Sequence, residues 1–108
     1  MYYVYMLRCE DNSIYTGITN HLERRMQEHF LKTKECAKYT KRHTPVKIEK
    51  VWTCENRVLA SKLEYRIKKL TKQEKEELIK QEKKFLILFQ DSLECKNYKP
   101  FCLKNDTK

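Results

Sequence analysis

The sequence predicts an α+β domain of order β-β-α-β-α-α, a small, mostly antiparallel sheet with helices packed on it. Three observations carry this. Two tyrosine-rich runs, "YYVYMLRC" and "SIYTGIT", flank a short polar turn. Pro45 is followed by "VKIEKVWT", which alternates well enough for a third strand. Apolar residues recur at helical spacing in three other segments, two of which open on a capping-box pattern.

The elements follow in chain order. Residues 2–9 and 13–19 are the first two strands. A three-residue loop, Glu10-Asp11-Asn12, would pair Tyr5 with Gly17 and Leu7 with Tyr15. Both tyrosines then share a face, because strand side chains alternate with period two. A two-residue loop would put them on opposite faces. Three-residue loops close on a residue in the left-handed region, which Asn12 tolerates, and so the longer loop is favoured. It sets Gly17, the chain's single glycine, across from Tyr5, with open space expected over the tyrosine pair.

Asn20 with Glu23 is read as a capping box opening a helix to about Lys32. His21, Arg25 and His29 share one face of it, and Leu22, Met26 and Phe30 form the neighbouring apolar stripe. The loop "KTKECAKYTKRHTP" precedes the strand at 46–53. A second helix fits residues 56–70, with Leu59, Leu63, Ile67 and Leu70 buried. Thr71 with Glu74 starts a third, running toward Phe89. The polar tail from Asp91, with Pro100, is expected to be loosely held.

A chain of 108 residues is most simply one small domain. Its net charge of +9 favours a polyanionic partner, nucleic acid before an anionic membrane surface. The five cysteines are odd in number and lack a C-x-x-C pair, which argues against a disulfide framework or zinc knuckle and for reduced thiols in a cytoplasmic protein. No apolar run approaches a membrane span, and the longest is "FLILF" at 85–89. The N-terminus reads as structure and not as a targeting peptide.

Four separated blocks, "YYVYMLRC", "SIYTGITNHLERRMQEH", "AKYTKRHTPVKI" and "KLEYRIKKLTKQEK", resemble in order the GIY-YIG endonuclease superfamily, in particular its short stand-alone bacterial members. The similarity covers residues 2 to about 80. It implies a three-stranded antiparallel sheet flanked by helices, and metal-dependent hydrolysis of phosphodiesters in DNA. Residues 1–81 would form this domain and 82–108 a C-terminal extension. The resemblance places the two motif tyrosines at Tyr5 and Tyr15, with Gly17 completing the second motif. The family arginine falls on Arg25, the helix histidine on His29, and the metal-binding glutamate on Glu64. The chain departs from the pattern at Tyr3, where the first motif has its glycine, and carries no recognisable second targeting domain unless residues 82–108 serve as one.

The chemistry of each residue type fits that reading. A phenol is only about one part in a thousand ionised at neutral pH, so a tyrosine base or relay needs a lowered pKa, which nearby cations would favour. Which tyrosine would act stays open, and two strand tyrosines also suit cross-strand packing. Arg25 offers a planar fork of donors to a phosphate. His29 suits donation to phosphate or proton transfer. Glu64, the only acidic residue in a basic run, would hold one Mg²⁺ or Mn²⁺ weakly unless a substrate phosphate joins it. Alternatively it forms an ion pair with Lys68. Lys38, Tyr39, Thr40, Lys41, Arg42 and His43 make a basic loop with an aromatic suited to substrate contact. Two rival readings stand beside the nuclease. One is a non-catalytic nucleic-acid-binding module that keeps the fold. The other is an accessory protein that binds a partner or itself through residues 82–108, with "FLILF" as the docking segment.

Overall fold

The computed structural model of the protein describes residues 1–31, 39 and 42–102. Strands β1 (Tyr2–Cys9) and β2 (Ile14–Thr19) form the expected hairpin, with Tyr5 paired to Gly17 and Leu7 to Tyr15. The loop closes as the turn chemistry requires: the Asn12 φ is 71°, and the Asn12 N–H donates to the Cys9 carbonyl at 2.9 Å. Asp11 braces it by accepting from the Ser13 N–H and hydroxyl, at 3.1 and 2.6 Å.

The sheet is antiparallel with order β2-β1-β3-β4, where β3 spans Pro45–Cys54 and β4 is Lys99–Pro100. It has four strands, not three, because the chain beyond the last helix returns to pair with Trp52 and Thr53. The central strand β1 is covered on both faces, which is why "VYML" is a continuous apolar run with all four residues buried.

One face holds Val4, Met6, Ile14 and Trp52 against helix α2 (Arg57–Lys68) and the C-terminal helices. The other holds Tyr5, Leu7 and Val51 against helix α1 (Leu22–Phe30). Tyr5 and Tyr15 lie on this second face. β2 is an outer strand with α2 packed beside it, so residues on the flank of α2 reach the tyrosine face around the sheet edge.

Several local expectations differ from the structure. The N-cap of α1 is His21, whose ring accepts from the Arg24 N–H at 3.3 Å, and not Asn20. β2 continues through Thr19, whose hydroxyl takes the His21 N–H at 3.0 Å, so the helix starts one residue later. Its buried stripe is Leu22, Met26 and His29, while Phe30 is 37% exposed. At 3.6 residues per turn His29 falls about 20° from Leu22 around the axis and Phe30 about 80°.

Helix α2 is capped by the Asn56 side chain, and helix α3 (Lys72–Lys80) carries the complete Thr71–Glu74 capping box. The run toward Phe89 is not one helix. It breaks at Gln81, which is extended, and resumes as α4 (Lys84–Phe89). In one straight helix Leu78 and Phe89 would stand about 16 Å apart; the break brings both into one core cluster.

The tail is docked as far as the described residues extend. Tyr98 is buried and donates to the Leu59 carbonyl at 2.6 Å, the Phe101 N–H donates to Val51, and the Phe101 ring meets Tyr3 edge-on. Of "FLILF", Phe89 is buried, Phe85 and Leu88 pack on the core, and Leu86 and Ile87 are exposed. Phe85, Leu88, Phe89, Leu93, Cys95 and Tyr98 therefore pack into the core of the domain.

Arg8 ties the layers together. Its guanidinium grips both oxygens of Glu76 on α3 at 2.6 Å and donates to Glu49 on β3 at 2.9 Å. The described cysteines are all free thiols, with Cys9 and Cys54 buried. Among the described residues no helix is long and apolar enough to cross a membrane.

Candidate active site

The hairpin register sets the floor of the site. The Tyr5 ring lies over Gly17, where an added Cβ would meet the Tyr5 hydroxyl oxygen at 2.5 Å and the Tyr15 ring edge at 3.0 Å. The expected open space is thus filled by Tyr5 itself, and the glycine is there to let it lie down. Helix α1 supplies the wall. His29 and Tyr5 are fully buried, and the Tyr5 hydroxyl is 2.8 Å from His29 Nε2. The Arg25 guanidinium stands within hydrogen-bonding reach of the same phenol oxygen.

Burial favours the neutral form of both groups. Burial pushes the His29 imidazolium down to about 4, with the nearby Arg25 charge acting the same way. Burial first, and then the neighbouring Tyr15, hold the Tyr5 phenol well above the ordinary tyrosine range against the pull of Arg25. A tyrosine base needs the opposite shift, and burial works against that at Tyr5. Tyr15 is partly exposed, and its ring centroid lies 6.2 Å from that of Tyr5 and 5.4 Å from that of His29.

Glu64 sits at the rim, on the flank of α2 beside β2. It is partly exposed, and its charge is felt at Tyr5. Its Oε2 pairs with Lys68 at 3.2 Å, and the Lys68 ammonium is 5.9 Å from the Tyr15 ring centroid. Arg25 is half-buried and paired with Glu28 at 2.7 Å. Tyr39 stacks on Tyr15 at 5.5 Å, and His43 stacks on Tyr39 at 4.2 Å. His43 Nδ1 contacts Asp11 at 2.5 Å, which ties this aromatic stack to the hairpin turn.

The structure thus brings Tyr5, Tyr15, Gly17, Arg25, His29 and Tyr39 together, with Glu64 at their margin. Arg42 is exposed. Lys38, Thr40 and Lys41 lie outside the described residues. Sequence reasoning missed Glu28, which i, i+3 spacing from Arg25 could have revealed. It also missed the Asp11–His43 contact, which joins residues 32 positions apart and has no local signal.

Glu64 is a rim carboxylate, Glu28 is held by Arg25, and among the described residues no three His, Cys, Asp or Glu side chains cluster as metal ligands. One carboxylate suits a hard divalent ion only where water and substrate oxygens complete the shell.

Comparison with known proteins bears on the family of the chain. The GIY-YIG catalytic domain family matches residues 1–77. A UPF0213 protein of Fusobacterium nucleatum is 48% identical over 85 residues, covering 79% of this chain and 83% of that protein. A UPF0213 protein of Clostridium perfringens is 48% identical over 80 residues, covering 73% and 83%. The solution NMR structure of a UPF0213 protein from Bacillus halodurans is 36% identical, covers 74% of this chain and 84% of that one, and superposes with a TM-score of 0.49. The chain belongs to the GIY-YIG catalytic-domain family, and within it to the UPF0213 proteins.

Proposed function

We propose that the protein is a metal-dependent endonuclease that hydrolyses phosphodiester bonds in DNA. The observation that carries this reading is the convergence of two phenols, a neutral imidazole, a guanidinium and one rim carboxylate on a single face beside the sheet edge. Arg25 would exchange Glu28 for a substrate phosphate and stabilise charge as it builds in the transition state. Tyr15, the more accessible phenol, would hold and help deprotonate the attacking water. His29 would fix Tyr5, and Tyr5 would orient Tyr15 and Arg25. Tyr39, with the loop residues Lys38, Thr40, Lys41 and Arg42, would line the approach of the strand. Glu64 would bind Mg²⁺ or Mn²⁺ with a phosphate as co-ligand; when bound, the ion supplies Lewis-acid stabilisation of the phosphoryl oxygens.

The test is incubation with labelled single-stranded, duplex, flapped and branched DNA, with Mg²⁺ or Mn²⁺, beside Glu64→Ala. Metal-dependent nicking that Glu64→Ala loses supports the reading. Equal nicking by both proteins, or none by either, overturns it. A second reading, a nucleic-acid-binding module without turnover, is favoured by one observation. Both charges the chemistry needs are already engaged, Arg25 by Glu28 and Glu64 by Lys68. It predicts salt-sensitive binding that survives Tyr15→Phe and Glu64→Ala, with no cleavage under either metal.

A further inference from the structure

Helical spacing extends the site along α2. Positions 57, 61, 64 and 68 recur at i, i+4, i+7 and i+11, so Arg57 and Ser61 lie on the flank that carries Glu64 and Lys68. Arg57 and Ser61 also open onto a groove of about 540 Å³ along the outer face of the helix. Lys62, Tyr65 and Arg66 form its helical wall, and Leu93 stands opposite. Among the described residues that line it, none is acidic. Asp91 and Glu94 line an adjoining cavity of about 330 Å³ on the Leu59 side of the helix.

The side chains here are not needed by the core. Tyr65 is 55% exposed and Val58 beside it 64% exposed, while Arg57, Lys62 and Arg66 are exposed as well. Two cations attend the Tyr65 ring, Arg66 at 5.8 Å and Lys69 at 5.2 Å from its centroid. An exposed ring between cations, with apolar neighbours, is complementary to a base and its flanking phosphates. In a duplex both faces of a base are already stacked, so only an unpaired base has a face free for Tyr65.

We infer that this groove binds the single-stranded flank of a nucleic acid substrate. One base stacks on Tyr65, and the neighbouring phosphates lie on Arg57, Lys62 and Arg66. The strand then passes Ser61 and turns about the α2 flank to the phosphate site at Glu64, about 10 Å further along the helix from Arg57. This last link rests on the nuclease reading; the groove's own binding does not. The substrate class that follows is DNA with an unpaired arm, such as a flap or a frayed end, in preference to continuous duplex.

The test uses the whole chain in EDTA, so that hydrolysis plays no part. Fluorescence anisotropy measures binding of a labelled oligothymidylate and of a hairpin duplex of similar length. Tyr65→Ala is expected to weaken single-strand binding about tenfold or more, Tyr65→Phe to keep it, and the duplex to be affected less than about twofold. Arg66→Ala and Lys62→Ala should each reduce the logarithmic salt slope on the single strand by about 0.7. Thermal melts confirm that these surface variants stay folded. Unchanged single-strand affinity in Tyr65→Ala, or equal losses on both DNAs, overturns the inference. So does competition by polyglutamate as strong as that by unlabelled oligothymidylate, since the groove would then read acidic charge alone. Tyr65-dependent binding by a protein that cleaves nothing would remove the nuclease reading and leave the groove in place. Cleavage without Tyr65-dependent binding would do the reverse.

Discussion

Protonating His29 should destabilise the fold in a defined pH window. An unfolded histidine titrates near 6.5, whereas burial and Arg25 hold His29 at about 4. Between these values the unfolded chain binds up to one more proton, so stability falls as pH falls. The contribution is fully present above the unfolded value, is lost progressively between the two, and changes no further below about pH 4. From the ratio of the two binding polynomials, lowering the pH from about 7.5 to about 5 costs about 2 kcal/mol. With a urea slope of about 1–2 kcal/mol per molar for a domain of this size, the midpoint should drop by about 1–2 M. Trp52, the single tryptophan, is buried and reports unfolding by fluorescence. Glu76 lies low, at about 2, chiefly through its hydrogen bonds to Arg8, so most of its own loss of stability comes below pH 5, as pH falls past the ordinary carboxylate range. His29→Gln, which cannot titrate, should flatten the profile. A midpoint that does not move in the wild type, or a slope that persists in His29→Gln, refutes the reasoning.

Four further substitutions test the fold. Gly17→Ala puts a methyl 2.5 Å from the Tyr5 oxygen, with the ring fully buried and tied to His29, so it should cost about 1–3 kcal/mol and lower the melting temperature. Arg8→Ala leaves Glu76 and Glu49 with only their lysine partners, Lys72 and Lys47, and should cost about 1–3 kcal/mol in urea unfolding. The exposed Arg24→Ala should stay within about 0.5 kcal/mol. Thr16 has the one buried side-chain oxygen without a hydrogen-bond partner among the described residues, so Thr16→Val should raise stability by about 1 kcal/mol; a loss would mean the hydroxyl is satisfied.

The parts of this molecule legible in the sequence are those fixed locally. Asn12 set the loop length, the loop length set the register, and the register put Tyr5 and Tyr15 on one face. The Thr71–Glu74 box and the Leu63–Ile67 stripe needed only neighbours within a turn. What depends on tertiary packing was not legible. Whether Phe30 or His29 turns inward depends on which flank of the Leu22–Met26 stripe is laid on the sheet. The break at Gln81 and the docking of Tyr98 follow from filling one core between elements far apart in the chain. The direction of the Tyr5 shift could not be read either, because cations beside it argue for a lowered value and only the burial under α1 reverses it. The site residues themselves were named by resemblance to a family, and geometry then showed which of them meet.

The most direct test of the central claim is single-turnover cleavage of a labelled flapped DNA in Mn²⁺ by wild type, Tyr15→Phe and Glu64→Ala, each shown folded by its thermal melt. The account predicts a measurable wild-type rate and losses of at least about a hundredfold in each variant, with DNA binding in EDTA retained. A Tyr15→Phe or Glu64→Ala protein that cuts as fast as wild type would contradict it.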